Sequence, residues 1–117
     1  RDRSPSRGLG DVYKRQELVG ILLDNAVKYS KPGSAVALRL SREGAHILLR
    51  VQNRSAAPVE EPERLFDRFY RGDAARTQSG GGTGLGLAIA RALAEGMGGT
   101  LTAAVSGGHD MEFTARF

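Results

Sequence analysis

The chain of 117 residues contains no cysteine and no long apolar run. Without cysteine it has neither a disulfide framework nor a thiolate metal site, which fits a cytoplasmic compartment. The longest apolar stretch, Leu18–Leu23, is interrupted by Gly20 and falls far short of the ~20 residues that a membrane span needs. The length and composition therefore predict one small globular domain or a piece of one.

Acidic residues are too few to balance the basic ones, so the net charge is +4. The excess is local, because residues 1–16 hold five basic and two acidic side chains, whereas the rest holds twelve and eleven. A basic nucleic-acid binder is an alternative only if DNA binding survives deletion of residues 1–16. We expect no nucleic-acid partner for the remainder.

Residues 1–16 show no helical or strand periodicity. Asp11–Gln16 can be back-translated into a sequence that resembles the transposon end used in preparing sequencing libraries. We therefore interpret residues 1–16 as a non-native leader, with a genuine basic tail as the alternative. The domain itself is expected to span residues 17–117.

A first helix is predicted over Glu17–Ser30 and ends where Pro32 follows. Its apolar residues fall on one broad arc at 100° per residue, and Ile21, Asn25 and Lys28 lie together on the edge of that arc. An asparagine beside the core face is unusual, because its amide needs hydrogen-bond partners when buried.

Alternating apolar residues predict two hairpins, joined by a polar loop over Asn53–Glu63, a short apolar piece over Leu65–Arg71 and a mobile loop over Gly72–Gly81. The apolar residues that alternate in the first hairpin are Val36, Leu38 and Leu40, then Ile47, Leu49 and Val51. The second hairpin comprises Thr100–Val105 and Met111–Phe117. We predict an α+β fold, a two-layer α/β sandwich with a mixed, mainly antiparallel sheet and its helices on one face.

Five glycines occur within Gly80–Gly86, immediately before a second predicted helix. The stripe Leu85, Ile89, Leu93 and Met97 is expected to face the core, and Gly98 and Gly99 to end the helix. A glycine loop at a helix N-terminus can bind phosphate, although it can also be only a flexible connector. It matches neither a Walker loop nor a dinucleotide fingerprint.

Three segments occur in order: ILLDNAVKYS, LFDRFYRGDAAR and GTGLGLAIA. Together they resemble the ATP-binding catalytic domain of bacterial two-component sensor histidine kinases, within the gyrase and histidine-kinase ATPase superfamily. The resemblance implies ATP and Mg²⁺ as cofactors and phosphoryl transfer to a histidine on a separate dimerisation domain, with a response regulator as an indirect partner. It also implies a strand before the first helix, so we expect an N-terminally truncated domain, and it leaves open whether the parent protein is anchored in the plasma membrane.

The resemblance also implies a set of site residues. Asn25 matches the family's Mg²⁺ ligand, and the phosphate and adenine contacts fall on residues along the three segments and at the end of the second strand. The nucleotide-binding residues are Asn25, Lys28, Tyr29, Asn53, Phe66, Phe69, Arg71, Arg76, Gly82, Thr83, Gly84, Leu85, Gly86 and Leu87. Phe66 and Phe69 could instead be plain core residues.

Two positions depart from the family's pattern. Asn53–Ala57 stands where the family usually has Asp-x-Gly-x-Gly, so a degenerate, non-catalytic interaction domain is the alternative function. Ile21 stands where ATPase branches place a water-activating glutamate, and this favours a kinase over an ATPase. No catalytic residue is assigned, and His46 and His109 are interpreted as surface residues rather than phosphoacceptors.

Overall fold

The computed structural model describes residues 5–67 and 86–117, with side chains from Val12 onward. The elements in chain order are α1 (Pro5–Tyr29), β1 (Val36–Glu43), β2 (His46–Arg54), a 3-10 helix (Pro62–Phe66), α2 (Gly86–Gly96), β3 (Thr100–Ser106) and β4 (Asp110–Arg116). The sheet order is β1-β2-β4-β3, and each pairing among the described strands is antiparallel. This arrangement confirms the predicted α+β fold.

The core lies between the helices and one face of the sheet. Opposed residues of an antiparallel pair share a face, and the register places Val51 opposite Phe113 and Phe113 opposite Ala103. All three are buried together with Leu18 and Leu22 of α1. The alternation predicted for the second hairpin and for β2 therefore identifies the core face.

The first strand, β1, does not share this burial. Leu38 and Leu40, predicted to be half-buried, are 51% and 73% exposed. They lie on the core face, opposite Val51 and Leu49, but β1 is the outermost strand and the helices lie mainly over β2 and β3. Alternation thus predicted the strand correctly and its burial wrongly, because burial depends on what lies above the strand.

The first helix begins at Pro5, not at the predicted Glu17. Proline is tolerated in the first turn of a helix, and no further proline interrupts the segment up to Tyr29. Side chains from Val12 to Glu17 are exposed, so this part carries no apolar periodicity that a sequence search could detect. No helix in the described part of the chain is long and apolar enough to cross a membrane.

The buried face of α2 differs from the predicted stripe. Its buried residues are Leu87, Ala90 and Ala94, whereas Ile89 is 44% exposed. Leu93 and Met97 pack at the margin of the core, as predicted for part of the stripe. The fully buried positions of the helix include two alanines, so the contact face is not centred on the predicted stripe.

The C-terminus of α2 confirms the predicted glycine stop. Gly98 has a φ of +81°, a left-handed conformation that glycine adopts without strain. The Gly98 N–H donates to the Glu95 carbonyl at 3.0 Å, and the Gly99 N–H donates to the Ala94 carbonyl at 2.9 Å. This pair of bonds is a Schellman motif, and it turns the chain directly into β3.

Gly99 also lies too close to β4 to carry a side chain. A Cβ there would overlap the Arg116 carbonyl oxygen and lie 2.9 Å from Cδ1 of Phe117. We expect Gly99→Ala to lower the free energy of unfolding by about 1–3 kcal/mol, measured by urea denaturation. The control is Gly96→Ala, because a Cβ at Gly96 meets nothing within 4 Å. Equal midpoints for the two variants would contradict this packing argument.

Candidate functional site

The C-terminus of α1 is hydrogen-bonded to the end of β2. The Lys31 N–H donates to the Arg54 carbonyl at 2.7 Å, and the Ala56 N–H donates to the Tyr29 carbonyl at 3.1 Å. Between these bonds Ser30 and Ser55 form an isolated antiparallel bridge. We refer to residues 29–31 with residues 54–56 as the α1–β2 junction.

The strand β2 continues through Arg54, so Asn53 belongs to the sheet and not to the predicted polar loop. Asn53 is only 7% exposed and lies on the core face, opposite Val36 and Met111. Its Oδ1 atom is buried without a hydrogen-bond partner among the described residues. A buried acceptor left unsatisfied costs about 1–3 kcal/mol, so this oxygen is suited to a ligand that brings its own donor.

Asn25 lies on α1, one turn after Ile21 and on the same face of the helix. Ile21 reaches the start of α2, since a Cβ on Gly86 would lie 3.7 Å from its Cγ2. Asn25 is half-buried, and its side chain makes no hydrogen bond to the described residues. Its amide oxygen therefore has no competing hydrogen bond among the described residues and lies one turn from the residue that reaches α2.

The other predicted residues of α1 follow within one turn. Lys28 is exposed and Tyr29 is half-buried, and the Tyr29 carbonyl takes part in the α1–β2 junction. Gly86 is the first residue of α2, and Leu87 is buried beneath it. The described structure thus brings Asn25, Lys28 and Tyr29 to one end of α1.

Phe66 ends the 3-10 helix and is buried in the core. Its ring meets that of Phe113 edge-to-face, with the centroids 6.0 Å apart. The Arg91 guanidinium lies over the same ring, 4.0 Å from its centroid, a distance at which a cation–π interaction is favourable. Phe66 is therefore a core residue, and a role toward nucleotide remains a prediction.

Glu63 and Arg91 form a cluster that the sequence patterns did not indicate. Arg91 Nη2 lies 2.5 Å from Glu63 Oε1, and Arg91 Nε donates to the Leu101 carbonyl at 3.1 Å. The other oxygen, Glu63 Oε2, accepts the Ala103 N–H at 3.0 Å. We call these two side chains the Glu63–Arg91 clasp. They satisfy backbone groups on the outer edge of β3, where no further strand is described.

The clasp also sets the charge state of its carboxylate. Partial burial raises the pKa of Glu63, but the hydrogen bond from Ala103 and the hydrogen bond and charge of Arg91 lower it by more. The pKa of Glu63 therefore lies below its usual value of 4.5. Glu63 is thus ionised at neutral pH. Its partner is 28 residues away, and no local pattern in the sequence could have revealed the pair.

Seven predicted site residues lie outside the described residues: Phe69, Arg71, Arg76, Gly82, Thr83, Gly84 and Leu85. Within the described ranges, no three or more His, Cys, Asp or Glu side chains gather into a group that could hold a metal ion.

The two histidines both lie in the sheet or its turns. His46 is exposed, as predicted, and its Nδ1 lies 3.2 Å from the Phe117 carbonyl oxygen. His109 is half-buried instead, and its Nδ1 lies 2.9 Å from the Ser55 carbonyl oxygen. Neither occupies a helix, the setting in which a phosphoacceptor histidine was expected.

Comparison with curated proteins gives relatives of one kind. The chain is 39% identical over 108 residues to the probable sensor histidine kinase TcrY of Mycobacterium tuberculosis. The aligned residues make up 92% of this chain and 22% of TcrY. It is 37% identical over 110 residues to the sensor protein CzcS of Cupriavidus metallidurans. That alignment covers 93% of this chain and 23% of CzcS. The chain thus spans less than a quarter of the length of these relatives.

Solved structures agree with the sequence relatives. The mycobacterial sensor histidine kinase MprB superposes with a TM-score of 0.73 at 29% identity, over 86% of this chain and 69% of MprB. Full-length ShkA in complex with AMPPNP gives 0.72 at 26% identity, over 88% of this chain and 21% of ShkA. Residues 10–117 match the family of histidine kinase-, DNA gyrase B-, and HSP90-like ATPases. The chain belongs to this family and is the ATP-binding catalytic domain of a sensor histidine kinase.

Proposed function

We propose that this domain holds Mg²⁺-ATP and presents the γ-phosphoryl group to a histidine on a separate dimerisation domain, in two-component signal transduction. The observation that carries the proposal is the buried Oδ1 of Asn53, which lacks a donor among the described residues. It lies two residues before Ser55 of the α1–β2 junction, which holds the end of α1 against β2. A nucleotide would supply the donor, since the exocyclic amine of adenine carries two N–H groups.

The adenine end of the proposed site is therefore at the end of β2. Asn53 is neutral, and a hydrogen bond to a neutral acceptor is worth about half as much as one to a charged acceptor. Tyr29 lies at the same junction and is proposed to lie against the base. We expect recognition of adenine to depend more on shape and burial here than on charge.

The phosphate end lies toward the start of α2. Asn25 would contribute its amide oxygen to Mg²⁺, which usually binds few protein ligands and completes its shell with water and substrate phosphates. Such an ion would neutralise phosphate charge and orient the transferred group. Lys28 and the N-terminus of α2 at Gly86 favour anions through charge and through the helix dipole. Phe69, Arg71, Arg76 and Gly82–Leu85 are proposed to complete this end.

Ile21 argues for transfer to a protein and against hydrolysis. Its side chain is apolar and packs at the margin of the core, so it cannot remove a proton from water. A general base is worth about 10²–10⁴ in rate. In a kinase, the acceptor domain could supply this base for its own histidine. The dimerisation domain is the proposed direct partner and a response regulator the indirect one. The likeness to ShkA, whose structure contains AMPPNP, supports a nucleotide at this site.

The metal end is tested by Asn25→Ala. We expect this variant to bind ADP on the order of 10-fold more weakly in the presence of Mg²⁺, because an ion-bound oxygen is lost. Isothermal titration of the full chain measures the affinity, with and without EDTA. Asp24→Ala is the matched control, since Asp24 is the exposed neighbour on the same helix. Equal weakening by both substitutions, or unchanged affinity in Asn25→Ala, would count against the assignment.

The adenine end is tested by Asn53→Leu, which replaces the unsatisfied amide with an apolar group of similar size. We expect the free energy of unfolding to stay level or rise by about 1 kcal/mol, because an orphan acceptor disappears. Affinity for ADP should fall by about 5-fold. Inosine diphosphate lacks the exocyclic amine. Wild type should therefore bind ADP more tightly than inosine diphosphate, whereas the variant should bind the two with equal affinity. A variant that keeps the wild-type preference would refute the role of Asn53.

A further inference from the structure

We propose that Glu63 and Arg91 are positioning residues for the nucleotide site, in that their clasp fixes where α2 begins relative to the 3-10 helix and β3. This inference rests on the proposed function. Neither residue belongs to the predicted nucleotide-binding set. They act through the backbone elements that they hold, and we assign them no contact with the nucleotide.

The clasp joins two parts of the chain that are distant in sequence. Glu63 lies on the 3-10 helix, before the segment 68–85, and Arg91 lies on α2, after it. Each side chain makes two polar contacts, one to the other and one to the edge of β3 at Leu101 or Ala103. The 3-10 helix, α2 and β3 are therefore held at one point by charge-assisted hydrogen bonds, which are stronger than neutral ones.

The clasp is connected to both ends of the proposed site. On one side, Arg91 covers Phe66, whose ring packs on Phe113, and Phe113 is paired with Val51, two residues before Asn53. On the other side, Arg91 lies five residues after Gly86, where α2 meets Ile21, one turn before Asn25. A shift of α2 would therefore move the phosphate end relative to the adenine end.

The clasp is partly exposed, with 52% of the Glu63 side chain and 31% of the Arg91 side chain accessible, but it differs from an ordinary surface ion pair in the elements that it joins. Arg54 and Asp110 also approach to 3.0 Å, but they are opposed residues of the paired strands β2 and β4. The sheet already fixes their positions, and such exposed pairs contribute little to stability. The Glu63–Arg91 clasp instead joins elements that share no backbone ladder, so its loss leaves their relative placement to side-chain packing.

The test compares Glu63→Gln with Asp110→Asn in the full chain. Both substitutions remove one carboxylate charge with little change in shape. At a temperature where circular dichroism shows wild type and both variants folded, we expect Glu63→Gln to weaken ADP binding by about 10-fold through misplacement of the site. Asp110→Asn should stay within about twofold of wild type. Arg91→Lys, which keeps the charge but lacks the planar fork, should fall between wild type and Glu63→Gln.

A second measurement needs no nucleotide. Amides of residues 90–94 are the first that donate within α2, and we expect their hydrogen exchange to accelerate in Glu63→Gln but not in Asp110→Asn. Unchanged exchange in Glu63→Gln, or wild-type ADP affinity in that variant, would overturn the positioning role. A wild-type chain that binds no ADP while the exchange still responds would refute the proposed function, and with it the role toward the nucleotide, but would support the clasp as the anchor of α2.

Discussion

The hydrogen bonds between the end of α1 and the end of β2 are the constraint on which the rest of the site depends. They join a helix to a sheet, whereas the regular backbone hydrogen bonds of each layer stay within that layer. Because of them, Tyr29 and Ser55 are neighbours, with Asn25 one helical turn before Tyr29 and Asn53 two residues before Ser55. Asn25 approaches from the helix and Asn53 from the sheet. The proposed nucleotide site takes one of these amides from each layer.

One of these amides is costly to the folded chain. A buried carbonyl oxygen without a donor opposes folding, and the described residues around Asn53 supply none. An apolar residue would pack there with less conflict. Local rules of folding are commonly violated at functional sites, and the orphan acceptor fits that pattern. Asparagine also avoids the burial of a full negative charge, and its hydrogen bond to the proposed adenine would be weaker than that of a carboxylate.

Much of the fold could be predicted because its signals are local. The strands follow from alternation, and the end of α2 follows from the glycine pair that adopts the Schellman turn. Burial was less predictable, since Leu38 and Leu40 are exposed at the sheet edge and Ile89 lies outside the contact face of α2. These errors share a cause, because packing between elements decides which apolar residues are covered. The start of α1 was missed because residues 1–16 show no helical periodicity in the sequence.

The site was predictable to a different extent. Asn25 and Asn53 were identified by resemblance to a family, but the missing donor at Asn53 could be seen only in the structure. Glu63 and Arg91 belong to neither a motif nor a periodic pattern, since their pairing arises from tertiary structure. Sequence patterns therefore identified residues proposed to contact the nucleotide and missed those that hold the surrounding elements in place.

We propose that this domain delivers a phosphoryl group to histidine and not to water. The most direct measurement mixes the full chain with a phosphoacceptor dimerisation domain, Mg²⁺ and ATP labelled at the γ-position. We expect label on a histidine of the acceptor domain, recognised by its acid lability, and little release of inorganic phosphate when the acceptor is omitted. Rapid phosphate release without the acceptor, or no labelled histidine from a folded chain that binds ADP, would contradict it.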